Sequence, residues 1–203
     1  MIIGITGGTG SGKTTLLKLI DQLGGVVLDC DGIYHELLQR DKKLLAAIET
    51  RFPGTVENGV LQRKKLGEIV FGDKQALLDL NSLTHSAVKA EIVRRLEEKP
   101  PLAAIDAIGL FESGINELCQ LTVAVTAPLE TRVQRLMDRD SISREYATAR
   151  IAAQPSQEEF SNRCDHVLVN DGTKEAFREK CLAFLTEQGI MKENHEKENR
   201  YDQ

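Results

Sequence analysis

The sequence of 203 residues predicts an α/β protein built on a parallel sheet with a P-loop, and two features of the chain carry that prediction. First, five short apolar segments alternate with helical patterns, as in proteins whose parallel strands are joined by helices. Second, a glycine-rich stretch at residues 7–14 follows the first apolar segment directly and precedes a helical pattern. The predicted strands are Ile2–Thr6, Val26–Asp29, Leu102–Asp106, Leu121–Thr126 and His166–Val169.

The glycine-rich stretch reads Gly7-Gly8-Thr9-Gly10-Ser11-Gly12-Lys13-Thr14, a complete Gly-x-x-x-x-Gly-Lys-Thr motif. We call residues 7–14 the glycine loop. Its glycines let successive N–H groups turn inward to form a nest for an anion, and the following helix adds the positive end of its dipole. A chance glycine-rich turn is the alternative, but the strand before and the helix after favour a nucleotide triphosphate site. The predicted nucleotide-binding residues are Gly8, Thr9, Gly10, Ser11, Gly12, Lys13, Thr14 and Thr15, with the Thr14 hydroxyl offered to Mg²⁺.

Composition excludes several other classes. The formal net charge is −5, with acidic and basic residues mixed along the chain, which does not favour binding to nucleic acid or to an acidic membrane. No run of about 18 apolar residues occurs. Four widely spaced cysteines, without a Cys-x-x-Cys pair, argue against a zinc site or a redox dithiol. We therefore expect a soluble cytoplasmic protein with reduced thiols.

Acidic residues follow two of the predicted strands. Asp29 and Asp31 come at the end of the second strand and Asp106 at the end of the third. Because ligands of open parallel sheets gather outside the carboxyl ends of the strands, we expect these carboxylates and the glycine loop to converge on one edge. Phosphoryl transfer needs a base for the attacking hydroxyl, and we assign Asp31 to that role and Asp29 to the Mg²⁺ shell or to support of a loop. Either carboxylate could instead cap a helix beginning near Gly32.

Residues 131–157 carry several arginines with little continuous apolar surface, which predicts a helical flap over the nucleotide. An ordinary solvated helix pair is the alternative. Arg135 and Arg139 are four residues apart on one helix face, so both could reach the same anion from the flap. Pairing with Asp138 or Asp140 is the other possibility.

Residues 33–99 form a long, mainly helical section between the second and third strands, too large for a plain crossover. It is a candidate substrate-binding insertion. Within it, Arg63 follows a predicted turn and could bind a substrate phosphate through its planar fork. His85 could contact substrate, although a single helical histidine is more often packed or solvent-facing.

These residues stand in an ordered set of motifs. The set comprises residues 3–14, Asp29-Cys30-Asp31, residues 58–63 with Leu66 and Val70-Phe71, Leu80-Asn81 with Thr84-His85, residues 106–112, residues 135–140, Gln154 and residues 165–170. In that order they resemble the dephospho-coenzyme A kinase family over about residues 2–172. The glycine loop alone is shared by many kinases, whereas the ordered set is much more specific.

The resemblance implies an adenylate-kinase-like core (residues 1–32, 100–130 and 164–190), a helical coenzyme A region (33–99) and a lid (131–163). The polar composition of the end of the chain separately predicts a flexible tail (191–203). It implies transfer of the γ-phosphate of ATP, with Mg²⁺, to the ribose 3′-hydroxyl of dephospho-coenzyme A. Asp31 then matches the base, Thr14 the metal-binding hydroxyl, and residues 135–139 the lid arginines. Arg63, His85 and Asp106 match acceptor-site positions. We expect a monomer or weak homo-oligomer.

Two other functions stay open at this point. The glycine loop does not name the acceptor, so a kinase for a nucleoside or another small hydroxyl compound is possible. Residues 106–109 also match the Asp-x-x-Gly pattern of GTP-operated switches, but the guanine-reading Asn-Lys-x-Asp is absent from the sequence. The acidic pair and the arginine-bearing flap suit a transferase better than a switch.

Overall fold

The computed structural model, which describes residues 1–191, contains a five-stranded sheet and a separate two-stranded hairpin. The strands are β1 (Ile2–Thr6), β2 (Val26–Asp29), β3 (Val56–Glu57), β4 (Val60–Leu61), β5 (Ala103–Asp106), β6 (Leu121–Thr126) and β7 (His166–Val169). In the larger sheet the order is β2-β5-β1-β6-β7, and β5 runs parallel to both β1 and β2. The predicted α/β class is confirmed. The third predicted strand begins at Ala103 rather than at Leu102.

Nine α-helices lie within residues 1–191. They are α1 (Lys13–Gln22), α2 (Cys30–Arg40), α3 (Lys42–Arg51), α4 (Arg63–Phe71), α5 (Lys74–Leu96), α6 (Leu129–Asp140), α7 (Arg144–Ala152), α8 (Gln157–Arg163) and α9 (Lys174–Glu187). Short polar side chains fix where many of them begin, because they accept hydrogen bonds from otherwise unpaired N–H groups of the first turn. Asp41 caps α3, Asp73 caps α5, and Ser156 forms a capping box with Glu159 on α8.

The chain divides into two compact units. The first unit comprises Met1–Thr6 and Gly24–Val123; the second comprises Gly7–Leu23 and Ala124–Gln203, of which residues to 191 are described. The predicted division into core, insertion and lid stays a prediction. The predicted polar tail at 191–203 lies outside the described residues except for Met191. Among residues 1–191, no helix has both the length and the apolar character needed to cross a membrane.

The first unit is organised around the long helix α5. Its buried residues, including Leu80, Val88 and Ile92, recur along one face and join a core with residues of α2, α3 and α4. The hairpin β3–β4 turns at Asn58-Gly59, a residue pair that two-residue hairpin turns favour. Residues 33–99 are mainly helical and include one small hairpin.

In the second unit, α6 and α7 correct one expectation from the sequence. Residues 131–157 were expected to have little continuous apolar surface, but Val133 and Leu136 of α6 pack with Ala147 and Ile151 of α7 in a small core. Each helix contributes only two buried apolar residues, three or four positions apart. An apolar helix face this narrow is difficult to recognise in the sequence, because charged residues surround it.

Candidate active site

The glycine loop belongs to the second unit and leads into α1. Gly12 occupies the N-cap position with φ 104, and no side chain of residues 1–191 caps the helix. No acidic residue stands in its first turn either, in contrast to α2. The Lys13 ammonium donates to Gly7 O (2.8 Å), so this side chain folds back over the loop. Thr14 is exposed at the second position of α1. The helix therefore presents amides, an ammonium and a hydroxyl suited to an anion with its metal.

Two side chains hold the first half of the glycine loop through the backbone of Thr9. Arg132 Nε donates to Thr9 O (2.9 Å), and Thr9 N donates to Gln154 Oε1 (2.8 Å). Arg132 is only 3% exposed, and its burial lowers the pKa of the guanidinium. A Cβ on Gly8 would lie 2.1 Å from Arg132 Nη2, so this close approach requires glycine.

The second half of the loop is held by Arg135 and Asn170. Arg135 Nη1 donates to Gly10 O (3.1 Å) and to Ser11 O (3.3 Å), and Arg135 Nη2 donates to Asn170 Oδ1 (3.2 Å). Burial lowers the pKa of the Arg135 guanidinium. In each half of the loop, backbone carbonyl oxygens thus accept hydrogen bonds from an arginine of α6, which is Arg132 in the first half and Arg135 in the second.

Arg139 has a different partner from Arg135. Its Nε and Nη2 both donate to the carboxylate of Asp140 (2.7 and 3.0 Å). Asp140 also accepts from Arg150 Nη1 of α7 (2.6 Å), and the two arginines hold the pKa of Asp140 well below its usual range. Of the two arrangements considered from the sequence, Arg139 adopts pairing with Asp140. Its contact with a transferred phosphate stays a prediction.

A cavity of about 300 Å³ lies wholly within the first unit, and we call it the acceptor cavity. Buried Leu80, Val88 and Ile115 supply apolar wall. The polar lining comes from six other side chains: Asp31, Tyr34, Asn81, Thr84, His85 and Ser113. The structure thus brings Asp31 and His85, two residues predicted from distant parts of the sequence, to one cavity.

The three candidate carboxylates occupy different local positions. Asp29 is the N-cap of α2, where its Oδ1 accepts from Asp31 N (3.0 Å), and Asp31 lies in the first turn. Of the roles considered from the sequence, Asp29 adopts that of a helix cap, and the helix begins at Cys30, directly after β2, rather than near Gly32. Asp29 and Asp106 are register partners at the ends of β2 and β5, which confirms that they meet at one edge. Whether Asp29 binds a metal stays a prediction.

Cys30 lies between the two carboxylates and is 9% exposed. Burial, followed by the charges of Asp106, Asp29 and Asp31, raises the pKa of the Cys30 thiol to about 12. Burial is the larger cause.

Arg63 is the first residue of α4, and its positive charge influences the pKa of Tyr34, a residue that lines the acceptor cavity. Burial raises the pKa of Tyr34, and the positive charge of Arg63 partly opposes that increase. Arg63 therefore places its charge close to the cavity wall. Its contact with a substrate phosphate stays a prediction.

The assignment of site residues from the sequence missed Arg132, Gln154 and Asn170. Gln154 and Asn170 stood in the ordered motif set without a role, and Arg132 precedes Arg135 by three residues on the same helix face. That spacing was the available signal for Arg132. It could not show that the guanidinium turns toward the glycine loop, because the bond to Thr9 joins residues 123 positions apart.

Comparisons with known proteins show which proteins this chain is similar to. A family model described as dephospho-CoA kinase matches residues 1–176. The dephospho-CoA kinase of Carboxydothermus hydrogenoformans is 36% identical over 190 residues, which cover 91% of this chain and 92% of that protein. A solved structure from Thermus thermophilus has a TM-score of 0.76 at 36% identity, covering 92% of this chain and 97% of its own. Dephospho-CoA kinase from Campylobacter jejuni has a TM-score of 0.65 at 28% identity, covering 94% and 98%.

Proposed function

The chain belongs to the dephospho-CoA kinase family, and we propose that it transfers the γ-phosphate of ATP to the ribose 3′-hydroxyl of dephospho-CoA, giving CoA and ADP. It is a kinase, and its acceptor is a small molecule. The observation that carries the proposal is the family match over residues 1–176, which includes both the glycine loop and the acceptor cavity.

ATP is assigned to the glycine loop. The backbone amides of the loop and of the start of α1 bind the phosphates, and Lys13 neutralises their charge. The ammonium has three N–H donors, of which Gly7 O accepts one, so others can donate to phosphate oxygens. The exposed Thr14 hydroxyl is a hard oxygen ligand that suits the Mg²⁺ of the nucleotide. A role of the Asp29 carboxylate toward the same ion is a separate proposal, which the Asp29→Asn variant tests. When bound, the ion neutralises charge that develops on the transferring phosphoryl group.

Dephospho-CoA is assigned to the acceptor cavity. Asp31 accepts the proton of the attacking 3′-hydroxyl, because it is an exposed carboxylate that lines the cavity. His85 and Asp106 bind and orient the acceptor, and Arg63 supplies positive charge for its existing phosphates. The apolar wall excludes water from the hydroxyl that reacts.

Arg135 and Arg139 are assigned to the lid, as charge-stabilising groups for the transferring phosphate. Arg135 has to leave the loop carbonyls, or reach past them, to play that part. Arg139 would exchange a carboxylate partner for a phosphate. Either exchange accompanies closure of a lid, as in other phosphoryl-transfer enzymes.

The protein is proposed to act in the cytoplasm as a monomer or weak homo-oligomer, without a nucleic-acid or membrane partner. The support is its net charge of −5 with mixed signs and the free cysteines among residues 1–191.

The test is to incubate the purified full chain with ATP, Mg²⁺ and dephospho-CoA and to follow ADP and CoA together, with nucleosides in parallel reactions. Equal amounts of ADP and CoA are expected, and Lys13→Ala should abolish both products. ADP without CoA, or phosphorylation of a nucleoside instead, would contradict the assigned acceptor. Omitting Mg²⁺ should stop the reaction.

A further inference from the structure

Asn170 connects the glycine loop to the strands of the second unit. It follows β7 directly, and its backbone N–H donates to Thr126 O at the end of β6 (2.7 Å). Its side chain is buried, with the residue 4% exposed. Asn170 Nδ2 donates to Ser11 O (2.9 Å), while Asn170 Oδ1 accepts from Arg135 Nη2 (3.2 Å). The amide therefore uses one donor and one acceptor at the same time.

These contacts fix the orientation of the peptide between Ser11 and Gly12. Its carbonyl oxygen accepts from Asn170 Nδ2 and also from Arg135 Nη1 (3.3 Å). In a planar trans peptide the C=O and N–H bonds point in opposite directions. Two donors on the Ser11 carbonyl thus turn the Gly12 N–H to the face of the loop that points away from Asn170.

Gly12 also shows how closely Asn170 approaches the loop. Its φ is 104, a left-handed conformation that side chains rarely adopt, and a Cβ there would lie 2.3 Å from Asn170 Nδ2. The glycine that the motif requires for phosphate binding is therefore also the residue that admits the Asn170 amide.

We propose that Asn170 is a positioning residue for ATP: it holds the Ser11–Gly12 peptide so that the Gly12 N–H donates to a phosphate oxygen of the nucleotide. Asn170 acts through this peptide and contacts no reacting atom. The inference rests on the proposed binding of ATP to the glycine loop and adds to it the residue that follows β7. Asparagine suits the position because a carboxylate cannot donate to Ser11 O and a methyl group can do neither task.

The test uses Asn170→Asp in the full chain, because aspartate has nearly the same shape. The carboxylate turns an acceptor toward the Ser11 carbonyl and binds Arg135 more strongly, so the peptide loses its preferred orientation. We expect KM for ATP to rise about tenfold or more, while KM for dephospho-CoA stays within about twofold. Exposed Asn162 on α8 provides the matched control, since Asn162→Asp adds the same charge to the same unit and should leave both KM values unchanged.

Asn170→Ala is the second variant, and thermal unfolding is measured for all proteins. This variant removes the donor without adding a repelling oxygen, so its KM for ATP should lie between wild type and Asn170→Asp. Unchanged KM for ATP in both variants would overturn the inference. So would a parallel rise of both KM values with a large fall in Tm, or loss of folding in both variants, because either result indicates a general structural role.

A different result would contradict the proposed function. If wild-type protein makes no CoA from dephospho-CoA, the assigned reaction is wrong regardless of Asn170. If wild type makes CoA but the Asn170 variants keep normal KM for ATP, only the positioning role is wrong.

Discussion

Asp29 and Asp106 are direct register partners across the parallel strands β2 and β5, so each strand ends in a carboxylate at the same edge. The residue after Asp29 is Cys30, whose thiol is buried beside both charges. This relationship places a cysteine in the acceptor cavity but opposes its ionisation. Cys30 is consequently a cavity-lining residue rather than a nucleophile.

We predict that Cys30 reacts very slowly with iodoacetamide in the folded protein. With its pKa raised from 9.0 to about 12, the thiolate fraction near pH 8 falls about a thousandfold. Mass spectrometry of the alkylated peptides measures the rate for each cysteine, with urea-unfolded protein as the control. The rate at Cys30 should still be rising above about pH 10, which separates a raised pKa from simple exclusion of the reagent. A plateau near pH 9 would contradict the prediction.

Asp31→Asn should lower kcat by about 10² to 10⁴, because a neutral amide cannot accept the proton of the attacking hydroxyl. KM for ATP should change less than about twofold, since Asp31 lies in the acceptor cavity rather than on the glycine loop. Steady-state kinetics with each substrate varied in turn gives both values. Near-normal kcat would remove Asp31 from the role of base.

Asp29→Asn separates the two roles assigned to Asp29. Asparagine caps helices about as well as aspartate, so α2 and the Tm should be preserved. The substitution removes the charge of a hard oxygen ligand, and the Mg²⁺ concentration for half-maximal activity should therefore rise several-fold. Asp29→Ala is the comparison that also loses the cap, with a cost of about 1 kcal/mol in unfolding free energy. An unchanged Mg²⁺ requirement would leave Asp29 with capping alone.

The edge that carries Asp29 and Asp106 could be predicted because each strand is a short apolar run that stops at a charged residue. The parallel arrangement then follows from the alternation of strands and helices. The acceptor cavity was only partly predictable, since Asp31 and His85 lie on helices whose packing decides what they face. Sequence spacing placed His85 on a helix but not on the cavity side.

The supports of the glycine loop were the least predictable part. Arg132 is a charged residue that a sequence pattern assigns to the solvent-exposed face of a helix. In the structure its side chain is buried and donates a hydrogen bond to Thr9 O. Its position depends on a close approach that a side chain at Gly8 would prevent. Such a fit comes from tertiary packing between residues far apart in sequence, which local propensity does not contain.

Glu91 on α5 gives a prediction for acid stability. Hydrogen bonds from Arg94 and Arg95 hold the pKa of Glu91 at about 2, below its usual 4.5, although desolvation acts in the opposite direction. A lowered pKa stabilises the fold fully above about pH 4.5, and this stabilisation is lost as the pH falls toward about 2. The Tm difference between wild type and Glu91→Gln should thus be largest near neutral pH and shrink below about pH 4.5.

The control for this measurement is Glu68→Gln, a change at an exposed carboxylate on α4 of the same unit. Its Tm difference from wild type should stay small at every pH. A Glu91→Gln difference that is constant from neutral pH to about pH 2 would mean that the arginines do not favour the ionised form of Glu91 in the folded state.

Gly8 and Arg132 should show strong energetic coupling, because a Cβ at residue 8 would lie 2.1 Å from Arg132 Nη2 and 2.8 Å from Arg132 Cζ. Gly8→Ala is expected to displace the guanidinium from Thr9 O, lowering the Tm and raising KM for ATP. Arg132→Ala loses the same contact directly, so the double variant should be little worse than Arg132→Ala alone. The coupling free energy from this double-mutant cycle should be about 1 kcal/mol or more.

Gly67→Ala on α4 is the matched control, because its Cβ would meet open space and alanine favours the helix by about 0.5 to 1 kcal/mol. Additive effects of Gly8→Ala and Arg132→Ala would show that Gly8 is required for a reason other than the approach of Arg132.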